Sequence, residues 1–325
     1  MSDILVTDKK IAVLMGGTSE EREVSLRSGQ AIFNALKEMG YNCQAVDVGP
    51  DITDVLRKQQ IEFAFLALHG GKGENGAMQG LLEVLGIPYT GSGILASALA
   101  MDKEASKKIF AFSGIPVAPS LIIACKSGED ALSSVAHDED SAGIYYYPDF
   151  PMPNFLLPWV VKPADEGSSI GVSMVKDAAE LRSCLEKTFV PGRRVMVEKY
   201  IRGREIHICI LGDRVLGGVE VRPSTEFYDY DAKYTAGMTE YVIPPELDYE
   251  TYERVKSLAL RACMVIGCTG ISRVDFMVDD DGIPHILEVN TLPGMTATSL
   301  VPKIAASAGM SFNDLIREMI RLAIN

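Results

Sequence analysis

The sequence has little of what marks several large classes of protein. Its six cysteines include no C-x-x-C pair, so neither a disulfide framework nor a cysteine zinc site is expected. We expect free, mostly buried thiols in a reducing compartment. No apolar run approaches the roughly 20 residues that a membrane-spanning helix needs, and the run at 11–15 is too short for a signal peptide. We therefore expect a cytoplasmic protein with no membrane partner.

Basic residues are also scarce. Lysine and arginine total 31 against 44 aspartate and glutamate, which gives a formal net charge of -13. Proteins that bind a nucleic-acid backbone usually carry basic patches, so we expect no nucleic-acid partner. A few lysines in a cleft can still attract a small anionic ligand. No G-x-x-x-x-G-K-[ST] motif occurs, which argues against that type of phosphate loop.

The chain does have enough apolar sequence to fold completely. Hydrophobic residues make up 47% of its 325 residues, and this length fits two or three domains. Four strands are predicted in the first hundred residues, at 11–15, 43–48, 62–68 and 87–90. Because helical patterns alternate with them, we expect a parallel sheet with helices on both faces.

After Pro158 the pattern changes to short, antiparallel strands. A long helix is predicted at 249–266 and a closing helix at 312–323. Residues 126–154 show little periodicity, and we expect a helix and a variable loop there. The predicted fold class is therefore α/β followed by α+β.

A two-residue turn is predicted at Asp281-Gly282, between two segments of alternating polarity. With that turn, Asp275 would face Glu288 on the opposite strand, and Arg273 would face Asn290. Since side chains two residues apart share a strand face, all four would point the same way.

Two carboxylates and an amide oxygen on one face predict a cation site. Asp275, Glu288 and Asn290 offer oxygen ligands, which magnesium and manganese prefer. The alternative is a solvated hairpin with ordinary surface charges. The apolar neighbours Phe276 and Val289 argue against it, because they indicate buried strands.

A glycine- and serine-rich loop follows Lys162, over residues 166–171. Its backbone N–H groups could cradle phosphates while the lysine supplies charge. An ordinary Gly-Ser hairpin turn explains the same segment, and the residues alone leave both interpretations open.

Two further motifs suggest other classes of protein. Residues 91–96 fit a relaxed dinucleotide-binding pattern, but no acidic residue lies about twenty residues on to bind a ribose. Residues 167–171 fit the G-x-S-x-G elbow of serine hydrolases, with Asp275 and His285 in a permitted triad order. An elbow requires a strand that runs directly into its first glycine, and the charged, proline-bearing segment before it disfavours this interpretation.

Glu21 has two interpretations of about equal weight. With Thr18 it has the spacing of a capping box for the following helix, and beside a glycine turn its carboxylate could hold an ammonium group. The long irregular stretch at 222–246 contains several tyrosines. It is interpreted as a lid, although a packed surface loop is the alternative.

Together these features resemble the D-alanine–D-alanine ligase family of the ATP-grasp superfamily. The resemblance runs from residue 11 to the closing helix and is weakest at 126–157. It is carried by seven ordered motifs: Gly16-Gly17-Thr18-Ser19, Arg22-Glu23-Val24-Ser25-Leu26, Ala67-Leu68-His69-Gly70, Pro88-Tyr89-Thr90-Gly91-Ser92-Gly93, Met101-Asp102-Lys103, Tyr228-Asp229-Tyr230 and Pro293-Gly294-Met295-Thr296.

The resemblance implies an ATP-grasp fold of three domains, at 1–100, 101–201 and 202–325, with ATP clasped between the second and third. It implies the ATP-dependent ligation of two D-alanine molecules to D-alanyl-D-alanine through an acyl phosphate, for peptidoglycan precursor synthesis. By analogy with the family, we expect a homodimer.

The resemblance also assigns roles to residues. It implies an ATP site made of Lys103, Lys162, Ser169, Glu198, Lys199, Ile201, Glu205 and Lys233. It implies two Mg²⁺ or Mn²⁺ ions at Asp275, Glu288 and Asn290. It implies substrate and oxyanion contacts from Glu21, Ser168, Tyr234, Arg273, His69, Gly294, Ser299 and Leu300.

Three alternatives stay open at this point. Another ATP-grasp ligase with different amino-acid substrates would share the ATP half of the sequence. A serine hydrolase and a non-catalytic ATP-binding module belong to other classes. Retention of Tyr234, which family members using D-lactate replace, favours D-alanine as the second substrate.

Overall fold

The computed structural model describes residues 8–124, 144–147, 150–165, 171–188, 193–223 and 239–324. Three sheets are formed, and the strands of each fall within one of the three predicted ranges. The division into three domains stays a prediction. No helix in the described part of the chain is long and apolar enough to cross a membrane.

The first sheet is parallel, as predicted, with β1 in the centre. Its strands are β1 (Ile11–Met15), β2 (Cys43–Asp47) and β3 (Phe63–Leu66), in the order β2-β1-β3. The helices of this region are α1 (Arg22–Glu38), α2 (Ile52–Lys58), α3 (Ala77–Leu85) and α4 (Ile94–Met101). Every residue of β1 is buried, which is typical of a parallel strand covered on both faces.

The second sheet has five strands in the order β5-β4-β8-β6-β7. They are β4 (Ser120–Ala124), β5 (Ile144–Tyr146), β6 (Trp159–Pro163), β7 (Ser173–Val175) and β8 (Arg194–Lys199). The pairs are antiparallel except β4 with β5. The helix and loop expected at 126–154 fall mostly outside the described residues; within them, 144–146 form a strand instead. Helices α5 (Lys103–Phe112) and α6 (Leu181–Thr188) belong to this part of the chain.

The third sheet is antiparallel, in the order β11-β10-β9-β12-β13. Its strands are β9 (Gly203–Leu211), β10 (Arg214–Pro223), β11 (Thr239–Val242), β12 (Ile271–Asp279) and β13 (Pro284–Asn290). The accompanying helices are α7 (Tyr249–Ile266), α8 (Leu300–Ser307) and α9 (Phe312–Leu322). The predicted bounds of α7 are confirmed, and α9 ends one residue earlier than predicted.

Two cores join these layers. One contains Ile32 and Leu36 of α1 together with Leu315 and Ile316 of α9, so the closing helix completes the core of the first sheet. The other places Phe110 of α5 against β9, β12, β13 and α7. The site described next lies on the face of the third sheet opposite α7.

Candidate active site

The pairing of β12 with β13 sets the geometry of the site. Asp275 lies opposite Glu288, and Arg273 lies opposite Asn290, as predicted. The predicted two-residue turn is wrong, because Asp279 N donates to Ile283 O and leaves a three-residue turn. A β-bulge restores the predicted register between the turn and the site.

The bulge consists of one extra residue, Leu287, in β13. Phe276 pairs with Ile286 while Asp275 pairs with Glu288, so Leu287 has no partner on β12. In a regular strand that contained all three residues, Ile286 and Glu288 would share a face. With the bulge, Ile286 is buried in the core while Glu288 turns to the opposite face.

Asp275 is 4% exposed, and basic side chains contact both of its oxygens. Arg273 donates from Nε to Oδ1 and from Nη2 to Oδ2, both at 2.7 Å. His207, opposite Asp275 on β9, brings Nδ1 within 2.6 Å of Oδ1. Burial raises the pKa of Asp275, but Arg273 and His207 outweigh it and hold that pKa well below its ordinary value.

His207 also reaches a second acid. Its Nε2 lies 3.0 Å from Oε1 of Glu205, two residues earlier on β9. Burial lowers the pKa of His207, but Asp275 and Glu205 together outweigh burial and raise it. The arrangement is a row of alternating basic and acidic side chains across two strands.

Lys103 supplies positive charge beside Glu288. Its Nζ lies 3.6 Å from Oε2 of Glu288, and its side chain is 9% exposed. Its position is fixed by Asp102, which caps α5 by accepting from the N–H groups of Glu104 and Ala105. Lys103 N also donates to Ala164 O at 2.9 Å, which ties this helix start to the second sheet.

A separate cluster surrounds Glu198 at the end of β8. Lys162 Nζ donates to its Oε2 at 2.6 Å, and Lys107 Nζ donates to its Oε1 and, at 2.8 Å, to Ala118 O. Burial would raise the pKa of Glu198, but the two lysines outweigh it and lower that pKa to about 2. Glu198 is therefore an ionised carboxylate, which only accepts hydrogen bonds.

One cavity gathers many of the predicted residues. The predicted residues that line it are Glu21, His69, Lys103, Arg273, Glu288, Asn290, Gly294, Ser299 and Leu300. The predicted residues that are described but do not line it are Lys162, Glu198, Lys199, Ile201, Glu205 and Asp275. The predicted residues Ser168, Ser169, Lys233 and Tyr234 lie outside the described residues.

Glu21 immediately precedes α1 but does not cap it. The helix begins at Arg22, and Glu21 makes no side-chain capping bond, so the capping-box interpretation with Thr18 is wrong. Its carboxylate lies beside Gly70, where a Cβ would come 2.7 Å from Glu21 Oε2. Only a glycine fits there without displacing the acid.

His69 connects two elements of the cavity wall. Its Nε2 lies 3.1 Å from Ser28 Oγ on α1, and its Nδ1 lies 3.4 Å from Glu74 Oε1. Ser28 Oγ also accepts from Met295 N at 3.2 Å. The loop beginning at Pro293 is thereby fixed to α1.

Gly294 and Ser299 lie in close contact on this loop. A Cβ on Gly294 would come 2.8 Å from Ser299 Oγ, so a side chain there would displace the hydroxyl. Ser299 precedes α8 without capping it, and Oγ instead accepts from Thr296 N at 3.0 Å. Both Ser299 and Leu300 therefore lie at the N-terminus of a helix, which favours anions.

The described part of the hydrolase triad does not assemble. His285 Nε2 lies 2.9 Å from Asp279 Oδ2 near the hairpin turn, whereas Asp275 pairs with Arg273 and His207. The glycine motif at 91–96 leads into α4, whose N-cap is Gly93. Gly91 there packs against Gly270, where a Cβ would come 3.0 Å from Gly91 Cα.

Two residues of this region, His207 and Lys107, were not predicted from the sequence to belong to the site. His207 has no motif of its own; its alternation with Glu205 along an apolar strand was the available signal. Lys107 was predicted to lie on the same helix as Lys103 and Lys108, but nothing in that segment indicated that it would contact Glu198.

Comparisons with known proteins identify the family of this chain. The family model described as D-ala D-ala ligase C-terminus matches residues 151–321, and the one described as D-ala D-ala ligase N-terminus matches residues 51–92. A protein named D-alanine–D-alanine ligase from Geotalea uraniireducens (strain Rf4) is 47% identical over 315 residues, 97% of this chain and 96% of that protein. The chain belongs to the D-alanine–D-alanine ligase family.

Solved structures of the family share the whole fold. The D-alanine–D-alanine ligase from Bacillus anthracis, in complex with ATP, has a TM-score of 0.79 and 36% identity, covering 97% of each chain. The VanG D-Ala:D-Ser ligase from Enterococcus faecalis has a TM-score of 0.78 and 29% identity, covering 97% of this chain and 99% of that one. The fold is therefore ATP-grasp, as the resemblance implied.

Proposed function

We propose that this chain uses ATP to join two D-alanine molecules into D-alanyl-D-alanine, and that it does so in the cytoplasm for peptidoglycan precursor synthesis. The supporting observation is the cavity that brings Glu21, Arg273, Glu288 and Ser299 together from four separate elements. A carboxylate for an ammonium group, a guanidinium for an oxyanion and a helix N-terminus for a carboxylate match the groups of two amino acids.

In this proposal Glu21 holds the ammonium group of the first D-alanine, near His69. Ser168 and Tyr234, outside the described residues, would bond to Glu21. Arg273 and the Gly294 N–H stabilise the oxyanion that forms during ligation. The N-terminus of α8, at Ser299 and Leu300, holds the carboxylate of the second D-alanine.

The nucleotide is proposed to lie between the second and third sheets. Glu198 would accept from the adenine amino group, near Ile201, and Glu205 would accept from the ribose hydroxyls. The proposed phosphate or adenine-site cations are Lys103, Lys162, Lys199 and Lys233, and Ser169 belongs to the proposed phosphate loop. Lys233 and Ser169 lie outside the described residues.

Two Mg²⁺ or Mn²⁺ ions are proposed at Asp275, Glu288 and Asn290. The donor set fits a hard cation, because it consists of oxygens on facing strands. Among the described residues no three His, Cys, Asp or Glu side chains form a metal cluster, and here the third donor is an amide. When bound, such ions would neutralise charge on the phosphates of ATP. Arg273, His207 and Lys103 balance the two carboxylates in this structure.

The proposed reaction has two steps. The carboxylate of the first D-alanine attacks the γ-phosphorus of ATP, which gives an acyl phosphate and ADP. The amine of the second D-alanine then attacks the acyl carbon, and inorganic phosphate leaves. Because phosphoryl transfer depends on positioning and charge stabilisation, a site rich in cations suits it.

The identity of the second substrate is the main alternative. VanG, a D-Ala:D-Ser ligase, has 29% identity to this chain, so a different second amino acid is compatible with the fold. The retained Tyr234 is the sequence feature that favours D-alanine.

We also propose that the chain is a homodimer. Large apolar side chains are exposed on helices that contact one another, namely Val84 on α3, Leu95 on α4, Phe112 on α5 and Met264 on α7. Exposed apolar area of this kind is typical of an interaction surface. Light scattering should give twice the monomer mass, and Phe112→Glu should reduce it; a monomeric parent protein would contradict the proposal.

The ligase assay supplies ATP, Mg²⁺ and D-alanine, and measures phosphate release together with the dipeptide by mass spectrometry. We expect D-alanyl-D-alanine with one phosphate per dipeptide. L-Alanine, and mixtures of D-alanine with D-serine or D-lactate, test the alternatives. Arg273→Met serves as the inactive control. Product only with D-serine or a hydroxy acid, or with L-alanine, would contradict the proposed substrate.

A further inference from the structure

His207 is a buried contact between two acids that the proposed function assigns to different ligands. It is 2% exposed, with Nδ1 2.6 Å from Asp275 Oδ1 and Nε2 3.0 Å from Glu205 Oε1. Asp275 lies among the proposed metal ligands, and Glu205 belongs to the proposed ribose site. The histidine is the contact that connects them.

The position of His207 on its strand argues against a purely structural role. Its neighbours Ile206 and Ile208 face the apolar core beneath α7, whereas His207 faces the other way. Its side chain lines the same cavity as Arg273 and Glu288. A histidine required only for packing would not need to face a cavity between two carboxylates.

Register explains why one side chain can contact both acids. His207 lies directly opposite Asp275 on the neighbouring strand, and Glu205 is two residues away on the same strand face. The two carboxylates carry like charges on adjacent strands with little exposure, 17% for the Glu205 side chain and 5% for that of Asp275. An imidazole between them fixes the orientation of each.

We propose that His207 is a positioning residue that couples the ribose acid Glu205 to the metal-site acid Asp275. When a nucleotide ribose binds Glu205, the carboxylate of Asp275 is held in place through His207, so the two subsites contribute jointly to nucleotide binding. Such outer contacts orient a ligand acid without touching the metal. This inference rests on the proposed function of the two acids.

The test is a double-mutant cycle that measures ADP binding by calorimetry in excess Mn²⁺. Glu205→Gln, Asp275→Asn and the double variant are compared in three backgrounds: the parent chain, His207→Leu and His285→Leu. The His285 background is a matched control, because it removes another His–Asp pair, 2.9 Å long, from the same sheet. Coupling appears when the change in the dissociation constant of ADP in the double variant differs from the product of the changes in the two single variants.

In the parent and His285→Leu backgrounds we expect the double variant to depart at least fivefold from that product. In His207→Leu the effects should multiply within twofold. His207→Gln, which keeps a donor to one acid, should restore part of the coupling, and thermal melts confirm that each variant folds. Coupling that persists in His207→Leu overturns the inference, as does its absence in the parent chain.

The outcomes also separate this inference from the proposed function. A parent chain that binds ADP with Mn²⁺ and makes the dipeptide, yet shows no dependence on His207, loses only the inference. A parent chain that does not bind ADP with Mn²⁺ overturns the inference and counts against the nucleotide site as well.

Discussion

Three lysines on one helix, α5, have three different partners. Lys103 reaches Glu288 in the cavity, Lys107 reaches Glu198 beneath the second sheet, and the more exposed Lys108 pairs with Glu104. The sequence predicted the helix and its lysines. It could not predict the partners of Lys103 and Lys107, because these lie on strands about 90 to 185 residues away and only the packed fold brings them together.

Glu198, which Lys107 contacts, makes a contribution to stability that depends on pH. Because the pKa of Glu198 is about 2 in the fold and 4.5 ordinarily, its carboxylate stabilises the protein above the higher value. That contribution is lost as pH falls from 4.5 towards 2. Lys107→Met removes one cation, so the pKa of Glu198 should rise towards its ordinary value and the variant should lose less stability than the parent chain as pH falls below 4.5.

Urea unfolding at pH 7, 5 and 4 measures this effect. At pH 7 we expect Lys107→Met to cost about 3 kcal/mol, as is typical when one partner of a buried pair is removed. Lys108→Met, whose lysine side chain is 56% exposed, should cost roughly 0.5 kcal/mol with little extra pH dependence. Parallel pH profiles for the two variants would show that Lys107 does not control Glu198.

The β13 strand has a bulge next to its functional face. Leu287 is the extra residue of the bulge, and Glu288 and Asn290, which follow it, lie on the cavity side. Deleting Leu287 should leave Ile286 opposite Phe276 and Glu288 opposite Asp275 in a regular ladder, because neighbouring residues of a strand point to opposite faces. We therefore expect the deletion variant to fold and to keep ligase activity within about tenfold of the parent chain.

Leu287→Ala is the matched control for that deletion. It keeps the residue count of the bulge and loses only a half-buried side chain, at a cost of about 1–3 kcal/mol, so most activity should remain. Mn²⁺ binding, followed by spin resonance, reports on the site independently of turnover. If the deletion variant bound Mn²⁺ much more weakly than Leu287→Ala, the strand pairing alone would not be what orients the ligands.

At the same scale, the hairpin shows the extent of sequence-based prediction. The predicted turn placed Asp275 opposite Glu288, which is the observed pairing because the bulge compensates for the longer turn. The long periodic helix α7 was predicted with its observed bounds. The turn itself was wrong, since a bulge leaves no mark in the pattern. The eight-residue helices α4, α6 and α8 were missed, because two turns offer little periodicity and α4 is apolar on most sides.

His207 required the same kind of long-range information. Its contact with Asp275 depends on the register of β9 against β12, strands separated by α7 and by residues 224–238. Alternation along one strand predicts which of its residues share a face, but not which other strand lies beside it. Local patterns therefore found the two acids and not the histidine between them.

At the scale of the whole molecule, the two ends of the chain share one core. Ile316 of α9 is fully buried with Ile32 and Leu36 of α1, and the same core contains Cys43 of β2 and Cys209 of β9. The first sheet therefore should not unfold independently of the third. Ile316→Ala leaves a cavity in this shared core and should cost about 2–5 kcal/mol.

The two thiols report on that shared core directly. Pulse labelling in increasing urea, resolved by peptide mass spectrometry, should expose Cys43 and Cys209 in one transition, and Ile316→Ala should move both midpoints down together. Arg317→Ala is on the same helix, and its arginine side chain is 43% exposed. At either thiol it should lower the free energy of unfolding by no more than about 1 kcal/mol. If Cys43 became reactive well before Cys209, the first sheet would unfold on its own. Glu21, at the start of α1, would then be positioned by that sheet alone, and loss of α9 packing should leave the cavity intact.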